Sequence, residues 1–407
     1  MEGAGLRERV LKSLEDRREK VLKGDINCIP LPFPRFREEF PGIEQGKYYL
    51  LSGATKASKT QLANYLILYN TILYMYYNPG IIKAKIFYYN LEETAEAITL
   101  RFMSYLLYTL SDIRISPSDL RSTNNTKPLD ASILDLLNSK QYVEILNLYE
   151  EVVQFMPSRN PTGVYKDLQS YAKNNGVIHK KMYTYKDELG IAKETEGFDY
   201  YSPNDSNEYV FIVVDHISLL ETEKGMTLRE CINKLSEYMI ILRNRYNYIP
   251  VVIQQQGLET TNLEAFKSNK IRPTTAGLSD SKYTAKDCDV MIGITNPFSH
   301  ELPEYLGYDI KTLRGNFRCM EIVLNRSGQS NGICPLYFDG AINYFKELPK
   351  PNDSENLKKV YNKLNTIRDT KTFFAYSITK FKNGLQNKKQ KNKFVALLSK
   401  LKRKQND

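Results

Sequence analysis

Tryptophan is absent from this 407-residue chain, and histidine is reduced to three residues, His179, His216 and His300, too widely dispersed to suggest a metal centre. The five cysteines (Cys28, Cys231, Cys288, Cys319 and Cys334) are odd in number and contain no C-x-x-C pair. That excludes a disulfide framework or zinc site of the usual spacing and favours reduced thiols in a cytoplasmic setting. No apolar run approaches the roughly 18 residues that a membrane span requires. The first residues, MEGAGLRERV, are charged and are followed by no hydrophobic block, so neither a signal peptide nor a membrane partner is expected.

What is present is an ordinary globular composition, 42% apolar, sufficient for a sizeable core. The net charge of +10 is unevenly placed. From Pro351 onward there are 15 Lys/Arg against 4 Asp/Glu, whereas the preceding residues hold 42 against 43. The basic character therefore belongs to the tail. Its interleaved Phe381, Phe394, Leu398 and Leu401 fit a nucleic-acid arm or a basic docking helix, and a solubilising end fits equally well.

Leu6, Val10, Leu14 and Val21 fall at helical spacing, so residues 5–23 read as an amphipathic helix, packed on its own domain or on a neighbouring subunit. CIPLPFPRF (Cys28–Phe36) breaks helicity and reads as a linker. Apolar strands then alternate with helices: KYYLLSG, KIFYYNLEE, YVFIVVDHISLL, YIPVVIQQQ, DVMIGIT and CMEIVLNRS. Uninterrupted strands of this kind imply an α/β fold with a mostly parallel sheet covered on both faces. Residues 173–207, rich in Lys, Tyr, Asp and Asn, read as an exposed insertion.

LLSGATKASKTQLANYL (Leu50–Leu66) carries the clearest chemistry. It matches the phosphate-binding pattern Gly-x4-Gly-Lys-Ser/Thr at Gly53, Lys59 and Thr60, with Ser58 in place of the second glycine. The loop leaves a strand and enters a helix, whose N-terminal amides favour phosphate. Lys59 then meets the β- and γ-phosphates and Thr60 holds Mg²⁺. Asp215, closing the FIVV strand, supplies the metal carboxylate, and Glu92 or Glu93 the base that polarises water. A Cβ at position 58 either crowds the phosphates or adds a hydroxyl to bind them.

In order and spacing these motifs resemble the RecA-like ATPase domain of DnaB-type replicative DNA helicases, over about residues 35–348. The resemblance implies a RecA-like P-loop NTPase fold, with ATP and Mg²⁺ held by Gly53, Ala54, Ser58, Lys59, Thr60 and Asp215. It implies Glu92 as catalytic glutamate, Gln256 as γ-phosphate sensor, and Arg326 as an arginine finger for the next subunit of a homo-hexamer. The family's neighbouring lysine position holds Leu324. Single-stranded DNA is the implied track, gripped by Lys270, Arg272 and Lys282 of the Gly257–Lys286 loop, which also holds Lys267 and Lys286. The expected division is a linker-like helix (1–30), the ATPase domain (31–349) and the basic tail (350–407). By this resemblance the N-terminal primase-engaging domain is missing, and primase and loader stand as prospective partners. The heavy use of Lys, Asn, Tyr and Ile fits an AT-rich genome such as a phage's, which would put the protein in the host cytoplasm. A second reading, motivated by Ser58 and Leu324, is a DNA-binding or assembly protein that binds nucleotide and hydrolyses it poorly.

Overall fold

The computed structural model describes residues 6–257 and 271–365. Two compact units emerge, Met1–Leu302 with Gly315–Leu348, and Pro303–Arg314 with the chain from Pro349. The later unit thus draws Pro303–Arg314 from within the span 31–349.

The strands, in chain order, are β1 (Cys28–Pro30), β2 (Gly42–Glu44), β3 (Tyr49–Gly53), β4 (Lys83–Asn90), β5 (Val153–Phe155), β6 (Gly176–Lys186) and β7 (Ala192–Pro203). There follow β8 (Glu208–Asp215), β9 (Ile249–Gln255), β10 (Val290–Thr295), β11 (Glu304–Tyr305), β12 (Tyr308–Asp309), β13 (Phe317–Asn325), β14 (Ile333–Asp339) and β15 (Tyr344–Glu347). Among the described residues, nine of them form one sheet in the order β15-β14-β13-β10-β3-β9-β8-β4-β5. Pairing from β10 through β5 is parallel, and β13, β14 and β15 add an antiparallel flank.

The strands read as unbroken apolar runs because both sheet faces are covered. Alternation sends Tyr49, Leu51, Tyr88, Val213, Val251 and Ile253 into one cluster, and Tyr48, Leu50, Tyr89, Val214 and Val252 into the other. Each such side chain contributes about 1.5–3 kcal/mol by leaving water.

The main helices are α1 (Leu6–Leu22), α2 (Lys59–Ala63), α3 (Asn70–Tyr77), α4 (Ala95–Ser111), α5 (Pro117–Leu120), α6 (Ala131–Leu137), α7 (Lys140–Val152), α8 (Pro161–Asn174), α9 (Leu228–Tyr246) and α10 (Tyr283–Asp287). A π-helical stretch, Asn64–Tyr69, joins α2 to α3. Helix α9 starts at a capping box in which Thr227 and Glu230 bond each other's backbone amides.

The proline-rich stretch is not a linker. Ile29, Leu31 and Phe33 are fully buried in the first cluster, and β1 pairs with β2. The alternating prolines, Pro30, Pro32 and Pro34, are half-buried or exposed, so the extended segment lies along the core. The polar segment after α8 is an exposed β6–β7 hairpin. In the second unit, β11 and β12 pair, and the Tyr308 hydroxyl donates to the Pro349 carbonyl.

Candidate functional site

The parallel strands bring their carboxyl ends to one edge of the sheet, where open α/β sheets expose their loops to ligand. Register aligns Gly53 with Gln255 and Asn90 with Asp215. Residues far apart in sequence therefore meet at that edge.

The loop after β3 packs tightly. A Cβ on Gly53 would lie 2.5 Å from the Ile294 carbonyl oxygen, so only glycine fits against β10. Lys56 and Ser58 both have positive φ, and Ser58 at φ 78°, ψ 36° occupies the left-handed region that glycine favours. Its hydroxyl accepts a hydrogen bond from Arg318 Nε at 3.1 Å. Lys59 Nζ donates back to the Ala54 carbonyl at 3.1 Å. Burial lowers the Lys59 pKa, while Asp215 and Glu92 act to raise it.

Asp215 is 2% exposed. Thr60 Oγ1 donates to one of its carboxylate oxygens at 3.1 Å, and the Tyr88 hydroxyl approaches the other at 3.1 Å. Tyr88 also reaches Asn64 Oδ1 at 3.0 Å, from the first π-helical residue. Burial pushes the Asp215 pKa up to about 7 against the pull of both hydroxyls, with Glu92 and Glu93 adding to the rise.

Two glutamates follow β4, and the structure separates them. Arg101 of α4 donates to both carboxylate oxygens of Glu93 through Nη1 and Nη2. Glu92 is about half exposed, its carboxylate 3.7 Å from His216 Nε2. Burial lowers the His216 pKa, partly offset by Glu92. Glu92 is thus the glutamate left facing the site.

Several of the expected residues have partners that the sequence did not indicate. Gln256 is buried, its amide spent on Ser52 Oγ at 2.8 Å and on the Thr274 backbone. The preceding residue, Gln255, instead reaches the loop, donating to Thr55 Oγ1 at 2.6 Å. Alternation along β9 explains this: Gln255 shares the face of Val251 and Ile253, towards α2, and Gln256 does not. Arg272 is held by the buried carboxylate of Glu321 on β13, with its own side chain partly exposed. Lys270 and Lys267 lie outside the described residues. Lys282 and Lys286 are exposed, Lys286 standing 4.8 Å over the Tyr283 ring.

Arg326 lies far from this edge. It follows antiparallel β13, whose Asn325 pairs with Val290, itself opposite Tyr49 at the start of β3. Four strand steps separate Tyr49 from Gly53, roughly 13 Å. Arg326 is exposed, with its guanidinium bonded to the Lys286 carbonyl. Leu324 packs against the second cluster.

Arg318 went unread in the sequence. The signal was there: NFRCMEIV sets a cation, as well as Glu321, inside a largely apolar strand.

These residues fit a magnesium–nucleotide group. Thr60 and Asp215 offer adjacent hard oxygen donors, and Mg²⁺ commonly takes only one or two protein ligands beside phosphate. Among the described residues no cluster of three His, Cys, Asp or Glu could hold a metal alone. No described helix is long and apolar enough to cross a membrane.

No protein-family model matches the chain, and comparison with curated proteins returns no sequence relative. Solved structures do match. One of them, an ATPase domain, aligns over 86% of this chain and 100% of its own, with a TM-score of 0.56 and 12% identity. A DnaB-like replicative helicase, described with its interactions with primase, aligns over 85% of this chain and 67% of its own, with a TM-score of 0.57 and 11% identity. The chain has the RecA-like α/β fold of these ATPase domains.

Proposed function

We propose that, on this fold, the chain is an ATP-driven helicase that assembles as a homo-hexameric ring and translocates on single-stranded DNA. The observation that carries the reading is the convergence of Lys59, the Thr60–Asp215 pair, Glu92 and Gln255 on one sheet edge. A bound Mg²⁺ would neutralise phosphate charge between Thr60 and Asp215. Lys59 leaves the Ala54 carbonyl to meet the phosphates. Glu92 orients water as general base, with His216 beside it. Gln255, in place of Gln256, reports the γ-phosphate back to β9. Arg326, on the opposite edge, serves the next subunit's nucleotide. Lys282 and Lys286 offer phosphate contacts for DNA, with Lys270 and the basic tail extending them. Primase and a loader are prospective partners by likeness to DnaB-like proteins.

A second reading, an assembly protein that binds nucleotide and turns it over poorly, draws on the left-handed serine in the loop. DNA-stimulated ATP hydrolysis and fork unwinding separate the two. The helicase reading expects both activities in the wild type and neither in Lys59→Ala or Glu92→Gln. Nucleotide binding without DNA-stimulated turnover would favour the assembly protein.

A further inference from the structure

Arg318 lies in β13 with 6% of its surface exposed. Its Nε donates to the Ala57 carbonyl and to the Ser58 hydroxyl, each at 3.1 Å. Nη1 donates to the Gly315 and Phe317 carbonyls at 3.0 and 2.7 Å, and the guanidinium stacks 4.7 Å over the Phe338 ring. Among the described residues, none of these partners is a carboxylate.

A buried cation without a counter-charge is unfavourable, and so is serine in the left-handed region. Here the two unfavourable features meet in one hydrogen bond. The fixed charge is anchored on two consecutive residues of the loop, Ala57 and Ser58. The serine that departs from the loop pattern and the arginine buried in β13 therefore explain each other.

Resting on the nucleotide-site reading, we infer that Arg318 is a positioning residue that latches the phosphate loop through the Ser58 hydroxyl and the Ala57 carbonyl. Serine at 58 is on this account a working part of the loop: its hydroxyl is the handle, and the guanidinium adds a positive charge beneath the polyphosphate. Arg318→Met keeps an apolar stem and loses charge and donors. Arg318→Lys keeps charge and loses the forked geometry. Ser58→Gly relaxes the backbone and loses the handle, whereas Ser58→Ala loses the handle and keeps the strain.

The test is binding of a fluorescent magnesium–ATP analogue to the full chain, with melting curves for every variant and Lys59→Ala as control. Arg318→Met should weaken binding about ten- to a hundredfold, the range for a charge-assisted hydrogen bond. In the Ser58→Gly background the same change should cost only about threefold, because coupled residues are non-additive. Ser58→Ala should bind more weakly than Ser58→Gly. Equal losses in both backgrounds, or tighter binding by Ser58→Gly with Arg318 indifferent, would overturn the latch. If Arg318→Met does not fold, Arg318→Lys and the Ser58→Ala against Ser58→Gly comparison decide the matter. Wild-type binding that is absent, or indifferent to Lys59→Ala, overturns the nucleotide site itself.

Discussion

Asp215 holds its proton more tightly than an exposed aspartate because β8, which carries it, is sealed on both faces. With the folded-state pKa raised from 3.8 to about 7, the protonated form is the stabilising one. That contribution is complete below pH 4 and is lost as pH rises towards 7, at most about 4 kcal/mol. Asp215→Asn should therefore flatten the pH dependence of metal-free melting across this window and melt higher than wild type at pH 8. Identical profiles would show that Asp215 ionises without penalty. Other residues show what a sequence can and cannot reveal. Lys59, Thr60 and Asp215 were legible because each has a fixed offset from a strand end. The Gln254–Gln256 triplet was not, since three identical residues conceal which one faces the loop until the strand's facing is known. Arg272 read as a loop cation because its partner, Glu321, lies 49 residues away on another strand.

At the scale of elements, hydrophobic pattern located the parallel strands β3, β4, β8, β9 and β10 but not the short or solvent-facing ones, nor what covers them. The segment 59–77 reads as one helix and is one, yet its π-helical centre carries no sequence mark and sets Asn64 behind Tyr88. The buried proline-rich path misled because proline signals a break in helix, and burial is decided by partners elsewhere. Helix α1 is the converse case. Val10, Leu11, Leu14, Val21 and Leu22 are exposed, while Arg17 pairs with Glu44 and Lys20 bonds Asn207. Under the ring proposal this apolar row belongs against a neighbouring subunit. Leu14→Asp should then change the monomer's stability by no more than about 0.5 kcal/mol and abolish assembly in sedimentation. Unchanged assembly would remove α1 from the interface.

At the scale of the molecule, one chain has the proposed hydrolysis groups on one edge of its sheet and Arg326 on the other. Under the ring proposal a monomer is catalytically incomplete. Arg326→Ala should bind nucleotide normally and fail to hydrolyse it. Mixing it with Glu92→Gln should regenerate activity from two inactive proteins, since about a quarter of randomly formed interfaces join an intact site to an intact arginine. A mixture as inactive as its parts would rule out the shared site. The near-neutral body and the basic chain after Pro351 assign any strong polyanion attraction to the tail, most of which lies outside the described residues.

The position of β3 between β9 and β10 carries a consequence for biosynthesis. Leu51 pairs with Ile253 and Ile292, so the central strand leaves the ribosome about 200 residues before either neighbour. At 5–20 residues per second the nascent chain exposes two unpaired edges of this buried strand for roughly 10–40 s. Translation speed and chaperone supply, more than final stability, should therefore govern the soluble yield of this protein.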